Sequence, residues 1–155
     1  MDNKKRLFLI DAYALIFRGY YAFIKNPRIN SKGLDTSAIL GFTNSLFDVI
    51  KREKPEYIAV CFDKGGSQDR IKIFPEYKAN RDETPEGIKI AAPYIQEILN
   101  ALGICIMVKE GYEADDIIGT LAKKAKEENF KIFIRADHIC FEIFFFSFFC
   151  HCSYY

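Results

Sequence analysis

The segment RLFLI, Arg6–Ile10, is a short apolar run that ends at an acid, Asp11. Three more runs of similar length follow: YIAVCF (57–62), ICIMV (104–108) and FKIFI (130–134). Runs of this length without polar alternation are typical of strands that are buried on both faces of a sheet. Because the runs alternate with helical patterns, they predict an α/β domain in which helices flank a parallel central sheet.

The helical patterns between the strands lie at 12–23, 36–53, 85–103 and 114–128. Thr84 and Pro85 favour a helix start, with the threonine as the cap and the proline at the first helical position. Gly103 is a typical stop for the same helix, because glycine readily adopts the left-handed conformation that ends many helices.

Chain length, charge and cysteine usage limit the class of protein. The 155 residues amount to one domain, and the net charge of +1 does not by itself indicate a nucleic-acid partner. No signal peptide is visible, and five cysteines without disulfide-scaffold spacing favour a reducing cytoplasm. We therefore expect a cytoplasmic, monomeric protein that does not associate with membranes.

Residues 64–83 form a segment that is longer than an ordinary connection between a strand and a helix. Two aromatic residues, Phe74 and Tyr77, are interleaved there with five cations: Lys64, Arg70, Lys72, Lys78 and Arg81. A solvated loop would explain such a segment, since acids are interspersed as well. Cations among aromatic rings nevertheless favour contact with nucleic acid, because cations follow phosphates while rings stack on bases.

Six acids follow the predicted strands or start the last helical pattern: Asp11, Asp63, Glu113, Asp115, Asp116 and Asp137. Three of them lie in the stretch GYEADD, residues 111–116, where Glu113 and Asp116 share a helix face. Each acid alone could simply cap a helix. Together they favour a ligand site, because the carboxyl ends of parallel strands meet at the edge where open α/β sheets bind ligands.

Five or six carboxylates with no obligatory Lys or His beside them suit Mg²⁺ or Mn²⁺ rather than zinc, which would need His or Cys ligands. Such a site favours two-metal phosphoryl chemistry, in which the ions activate a water and stabilise the displacement. The glycine-rich loop of P-loop NTPases is absent from the sequence, which excludes that class. A phosphatase with a nucleophilic aspartate would usually carry a second acid two residues after Asp11, where this chain has Tyr13.

The segment 139–155, ICFEIFFFSFFCHCSYY, differs in character from the rest of the chain. Phenylalanine dominates it, neither helical nor strand periodicity is present, and it is too short and too interrupted for a membrane span. Cys150 and Cys152 flank His151, but adjacent ligands without a second pair are weak evidence for a metal site. We interpret the segment as an aberrant tail of the kind that a shifted reading frame produces.

Five stretches together resemble the N-terminal 5′ nuclease domain of bacterial DNA polymerase I: LFLIDAYALIFRGYYAF (7–23), TSAILGFTNSL (36–46), AVCFD (59–63), EYKANR (76–81) and GYEADDIIGTLA (111–122). That domain is related to flap endonucleases and to the wider PIN-like fold. The resemblance covers about residues 6–137 and implies a helical arch over about 64–92. It also implies a nuclease, dependent on two Mg²⁺ or Mn²⁺ ions, that removes 5′ flaps and RNA primers in DNA replication and repair.

The resemblance assigns roles to individual residues. The acidic, metal-binding site comprises Asp11, Asp63, Glu113, Asp115, Asp116 and Asp137. The residues that steer a single-stranded 5′ end and its scissile phosphate are Arg18, Arg70, Tyr77, Lys78 and Arg81, of which Lys78 and Arg81 also count as catalytic. Tyr20 and Tyr21 have two interpretations, stacking on a terminal base or packing within the helical core.

Two departures from the family pattern bear on activity. After the fourth strand the family reads T-x-D-K-D, whereas this chain reads RADHI, so that Ile139 stands in place of the second acid. The family's later acids, its DNA-gripping helical hairpin and the polymerase domains have no counterpart here. We therefore predict a truncated 5′ nuclease domain at 1–138, whose function is phosphodiester hydrolysis on DNA. The alternatives are an inactive nucleic-acid-binding remnant and, less favoured, an unrelated Mg²⁺-dependent phosphohydrolase.

Overall fold

The computed structural model describes residues 5–65, 73, 83–136 and 139–142. The strands in these ranges are β1 (Arg6–Asp11), β2 (Tyr57–Phe62), β3 (Cys105–Val108), β4 (Lys131–Ala136) and β5 (Ile139–Glu142). The helices with described bounds are α1 (Ala12–Ala22), α2 (Ser37–Glu53), α3 (Glu86–Ala101) and α4 (Ala114–Glu127). The four strands and four helices that the apolar and helical patterns predicted are therefore present, with bounds that differ by at most two residues.

The strands form one sheet in the order β3-β2-β1-β4-β5. β1 lies at its centre and pairs in parallel with both β2 and β4, while β2 pairs in parallel with β3. The register places Asp11 opposite Cys61, so the carboxyl ends of β1 and β2 lie side by side. The predicted parallel α/β sheet is confirmed, and its carboxyl edge carries the first two acids.

The fifth strand was not predicted from the sequence. β5 pairs antiparallel with β4, Ile134 opposite Phe141 and Ala136 opposite Ile139. It lies within the segment that we interpreted as an aberrant tail, which lacks the alternation of a half-buried strand. A strand at a sheet edge needs only backbone pairing with its neighbour, and such pairing leaves no mark on side-chain periodicity.

The sheet is covered by helices on both faces. On one face, Ile10, Val60 and Phe62 pack with buried residues of α1, α2 and α3. On the other, Leu9 and Cys61 pack with residues of α4. Successive residues of a strand point to opposite faces, so both faces of β1 and β2 are apolar, as the unbroken runs predicted. No helix in the described ranges is long and apolar enough to cross a membrane.

α3 passes into the following strand through a glycine-containing C-terminal cap. After α3, the Gly103 N–H donates to the Asn100 carbonyl and the Ile104 N–H donates to the Leu99 carbonyl. This is the Schellman pattern, with Gly103 in the left-handed conformation at φ +67°. The predicted stop at Gly103 is thus confirmed. At the other end, Pro85 is the cap residue itself, so the predicted cap at Thr84 is wrong by one position.

α1 and α2 come into close contact at two glycines, Gly19 and Gly41. A Cβ added to Gly41 would lie 2.3 Å from the Cα of Gly19, and one added to Gly19 would lie 3.0 Å from backbone atoms of α2. The two backbones therefore touch, and neither can yield in the way that a flexible side chain can. This contact fixes the position of α1, whose first residue follows Asp11 directly.

Replacing Gly41 by Ala is expected to destabilise the protein by about 1–3 kcal/mol, because the added methyl group overpacks the contact between α1 and α2. Gly119→Ala is the matched control, since that α4 glycine has no atom within 4 Å of the position that a Cβ would take. There we expect a gain of up to about 1 kcal/mol from helix propensity. Urea unfolding measures both variants, and a stability gain in Gly41→Ala would contradict the close packing.

Candidate functional site: an acidic edge of the sheet

Asp11 has two structural roles at once. It is the last residue of β1 and the cap of α1, and its Oδ1 accepts a hydrogen bond of 3.1 Å from the Ala14 N–H. The cap follows from local sequence, because Asp is among the best residues for satisfying the free N–H groups of a first helical turn. The capping interpretation of Asp11 is therefore correct, and it leaves the second carboxylate oxygen to other contacts.

Asp63 follows β2 and connects it to a helix that begins fifty-one positions further along the chain. Its Oδ1 accepts a short hydrogen bond from the backbone N–H of Ala114, the first residue of α4. A free N–H group at a helix start is a good donor to an anion, since the helix dipole adds to the attraction. This bond brings the GYEADD stretch to the carboxyl edge of the sheet.

A backbone bridge next to Asp63 supports the same connection. The Gly111 N–H donates to the Lys64 carbonyl at 2.9 Å, and the Lys64 N–H donates to the Tyr112 carbonyl at 3.4 Å. Gly111 has a φ of +79°, a conformation that favours glycine. The turn before α4 is thus held on the residue that follows Asp63.

The three acids of GYEADD have different surroundings. Glu113 is the cap residue of α4 and is 5% exposed. Its backbone N–H donates to Asp116 Oδ2 at 3.2 Å, in a capping-box arrangement of these two residues. Asp115 lies between them in the first turn and is exposed. Glu113 and Asp116, which were predicted to share a helix face, therefore cap the start of α4.

The carboxylates at this edge influence one another electrostatically. Burial is the largest cause that raises the pKa of Asp11 from its ordinary value of 3.8 to about 6. The charges of Asp115 and Asp63 contribute to this rise, and the hydrogen bond from Ala14 opposes it. Three acids from three separate elements thus lie within electrostatic reach of each other. Like charges close together favour either protonation or a cation.

Two neutral groups line the same edge. Burial raises the pKa of the Tyr13 phenol, and the charge of Asp63 adds to the effect. Burial also raises the pKa of the Cys61 thiol to about 12, with Asp11 the next cause. Both groups therefore stay protonated at neutral pH. The sequence drew attention to neither as a site residue, although Tyr13 lies two positions after Asp11 on the first turn of α1.

Some predicted site residues are not brought together. Among the described residues, no three acidic, histidine or cysteine side chains form a group that could hold a metal ion as they stand. Five predicted residues lie outside the described ranges: Arg70, Tyr77, Lys78, Arg81 and Asp137. The predicted arch at 64–92 is described only at its two ends and at residue 73.

The α1 residues that were assigned to DNA are placed differently from one another. Arg18 is exposed. Tyr20 packs against the core. A Cβ added to Gly87 of α3 would lie 2.9 Å from the Cε2 atom of the Tyr20 ring. Tyr21 is 52% exposed and meets the Tyr20 ring edge to face. Core packing therefore accounts for Tyr20, and base stacking stays a prediction for Tyr21.

Comparison with known proteins relates the chain to nucleases. The sequence matches the family described as "5'-3' exonuclease, N-terminal resolvase-like domain" over residues 6–137. DNA polymerase I of Treponema pallidum is 42% identical over 134 residues, which make up 86% of this chain and 13% of that protein. A 5'-3' exonuclease of Aquifex aeolicus is 40% identical over 128 residues, 83% of this chain and 44% of that protein.

Solved structures share the fold at lower identity. A bacteriophage T5 5'-exonuclease with bound zinc ions superposes with a TM-score of 0.59 at 19% identity. A T5 flap endonuclease in a pseudo-enzyme-product complex with DNA and metal ions gives 0.57 at 22% identity. In both comparisons the match covers 84% of this chain and 48% of the other. The chain thus spans less than half the length of these relatives.

These matches confirm the resemblance that GYEADD and YKANR indicated. The family match covers residues 6–137, which is most of the sequence, and the relatives are 40–42% identical over 83–86% of this chain. The chain therefore belongs to the 5'-3' exonuclease family, within its N-terminal resolvase-like domain.

Proposed function

We propose that the chain carries the cation-binding part of a 5′ nuclease, which hydrolyses phosphodiester bonds in DNA that has a 5′ flap or a single-stranded 5′ end. One observation carries the proposal. Asp11, Asp63 and Asp115 come from three separate elements, and the last two raise the pKa of the first through their charge. The activities named for the relatives, 5'-3' exonuclease and DNA polymerase I, support it.

The donor set fits a hard divalent cation. The three converging acids offer carboxylate oxygens, which Mg²⁺ and Mn²⁺ prefer. The nearby Cys61 thiol stays protonated because its pKa is raised to about 12, so no soft thiolate competes for the site. Asp11, Asp63 and Asp115 would hold the ion, with Asp116, Glu113 and Asp137 as further acids. When bound, such ions supply an activated water and charge stabilisation at the phosphate.

The chain's own residues orient this edge. The bond from the Ala114 N–H fixes the Asp63 carboxylate, and the bond from the Ala14 N–H fixes one oxygen of Asp11. Tyr13 remains a neutral phenol beside Asp63. The folded protein already holds these negative charges close together, which lowers its stability. A cation that binds there removes this repulsion, and the free energy released adds to the binding affinity.

For DNA, we propose contacts with residues of α1 and of the predicted arch. Arg18 and Tyr21 are exposed on α1, three positions apart and thus on neighbouring parts of one face. The arch residues assigned to the 5′ strand are Arg70, Tyr77, Lys78 and Arg81. An RNA primer at a 5′ end would meet the same cations, since phosphates dominate such contacts.

One observation favours a second candidate, an inactive nucleic-acid-binding domain. Ile139 stands where the family pattern has its second acid, and it is paired with Ala136 at the start of β5. A site without that acid would hold the second ion poorly, and two-metal hydrolysis needs both. The two candidates share the acidic edge and differ only in turnover.

The raised pKa of Asp11 predicts an unusual response to charge removal. Without divalent ions, Asp11→Asn should stabilise the protein at pH 7, because Asn keeps the cap on α1 and removes a charge that burial and the neighbouring acids disfavour. The folded pKa of about 6 exceeds the ordinary 3.8, so this group's deprotonation costs stability as pH rises through that window. The gain should approach roughly 2–3 kcal/mol above pH 6 and vanish below pH 4.

Urea unfolding in a chelating buffer at several pH values measures this gain. Asp48→Asn is the control, because Asp48 is an exposed partner of Arg52 on α2, and the loss of such a surface pair costs under about 1 kcal/mol. A lower stability of Asp11→Asn than of the parent at pH 7 would show that burial and the neighbouring acids do not disfavour the Asp11 charge.

The Ile139 substitution predicts low turnover for the chain as it stands. We expect Mn²⁺-dependent cleavage of a labelled 5′-flap DNA to be at least about a hundredfold slower than for a fusion that restores the family pattern. In this fusion, residues from 138 onward are replaced by the corresponding stretch of the Aquifex aeolicus 5'-3' exonuclease.

The control for the cleavage assay is the same fusion with Asp115→Asn and Asp116→Asn, which should lose activity while it keeps its fold by circular dichroism. Rapid cleavage by the unaltered chain would refute the inactive candidate. A folded but inactive fusion would refute the assignment of the acidic edge as a nuclease site.

A further inference from the structure

A cavity lies beside the acidic edge, between the end of the edge strand β3 and one face of α4. Its volume is about 420 Å³, which is within the range of small-molecule sites. Three partly buried apolar side chains line it, Met107, Ile117 and Leu121. β3 has only one neighbour in the sheet, so no described strand covers this side.

The exposed lining residues combine an aromatic ring with cations. The Lys109 Nζ lies 4.6 Å from the centroid of the Tyr112 ring, close enough for a cation–π contact. Lys124 lines the cavity from α4, two helical turns after Asp116 and on the same face. Asp116 is the one acid of the lining, and its Oδ2 already accepts the Glu113 N–H. The charge balance therefore favours an anion.

We propose that this cavity binds a nucleoside monophosphate, with the base against Tyr112 and the apolar side chains, and the phosphate near Lys109 and Lys124. The combination of features selects this class. A free phosphate would make no favourable contact with the apolar lining, and an uncharged apolar ligand would leave the two lysines without a partner in the ligand. A metal ion is disfavoured by the same lysines.

The nucleotide site borders the proposed cation site, and Asp116 is the residue that the two have in common. Neither Lys109, Tyr112 nor Lys124 belongs to the acidic edge, and a phosphate held by lysines needs no divalent ion. Binding can therefore be measured in a chelating buffer. A positive result does not require the chain to be a nuclease, and a negative one does not count against that proposal.

The test is a calorimetric titration of the full chain with deoxyadenosine monophosphate in a buffer that contains EDTA, which measures the dissociation constant. Deoxyadenosine and inorganic phosphate are titrated separately. We expect the monophosphate to bind at least about tenfold more tightly than either fragment, because base and phosphate contribute together. Absence of monophosphate binding, or equal binding of phosphate alone, would overturn the proposal.

Variants assign the binding to this cavity. Lys124→Ala should weaken monophosphate binding by about tenfold through the loss of one charged contact. Lys123→Ala is the matched control, since Lys123 is the exposed neighbour on the same helix and does not line the cavity. Leu121→Trp should abolish binding by filling the cavity, with thermal melting to confirm its fold. Equal weakening by Lys123→Ala and Lys124→Ala would show that only diffuse charge is involved.

Discussion

The hydrogen bond from the Ala114 N–H to the Asp63 carboxylate is the contact on which the candidate site depends. It joins the end of β2 to the start of α4 across fifty-one positions of sequence. The backbone bridge between Lys64 and the Gly111–Tyr112 turn supports it from the adjacent residue. Without this connection Asp115 would have no fixed relation to Asp11, and the acids would be separate helix caps.

The same carboxylates serve folding and the proposed chemistry. Asp11 caps α1, Asp63 binds the first N–H of α4, and Glu113 with Asp116 closes the start of that helix. Capping a helix stabilises the fold, whereas crowding of the charges destabilises it. The pKa of Asp11 is raised, so burial and the neighbouring charges outweigh the capping hydrogen bond at this carboxylate. A divalent cation would relieve the repulsion, but it would have to draw oxygens from some of these caps.

Most of the fold could be predicted from the sequence, because each strand is a continuous apolar run that can be recognised from its own residues. Asp11 and Asp63 could be placed at one edge for the same reason, since residues that follow parallel strands share an edge. The helix ends were predictable where a residue has a special conformation, as at Gly103.

The remaining features depend on contacts between distant backbone atoms. Nothing in the residues around Asp63 indicates that its partner is the N–H of Ala114, because every residue but proline has such a donor. β5 was missed because edge pairing requires no side-chain pattern. The two interpretations of GYEADD, helix start or ligand site, could not be separated, since Glu113 and Asp116 cap the helix while Asp115 acts on Asp11.

The central claim is that Asp11, Asp63 and Asp115 together hold one divalent cation at the carboxyl edge of the sheet. A crystal structure of the chain grown with Mn²⁺, with anomalous diffraction data, tests it most directly. The account predicts an anomalous peak in contact with carboxylate oxygens of all three residues, and its loss in Asp63→Asn crystals grown in the same way. An edge without a peak, or an ion held by none of the three acids, would contradict it.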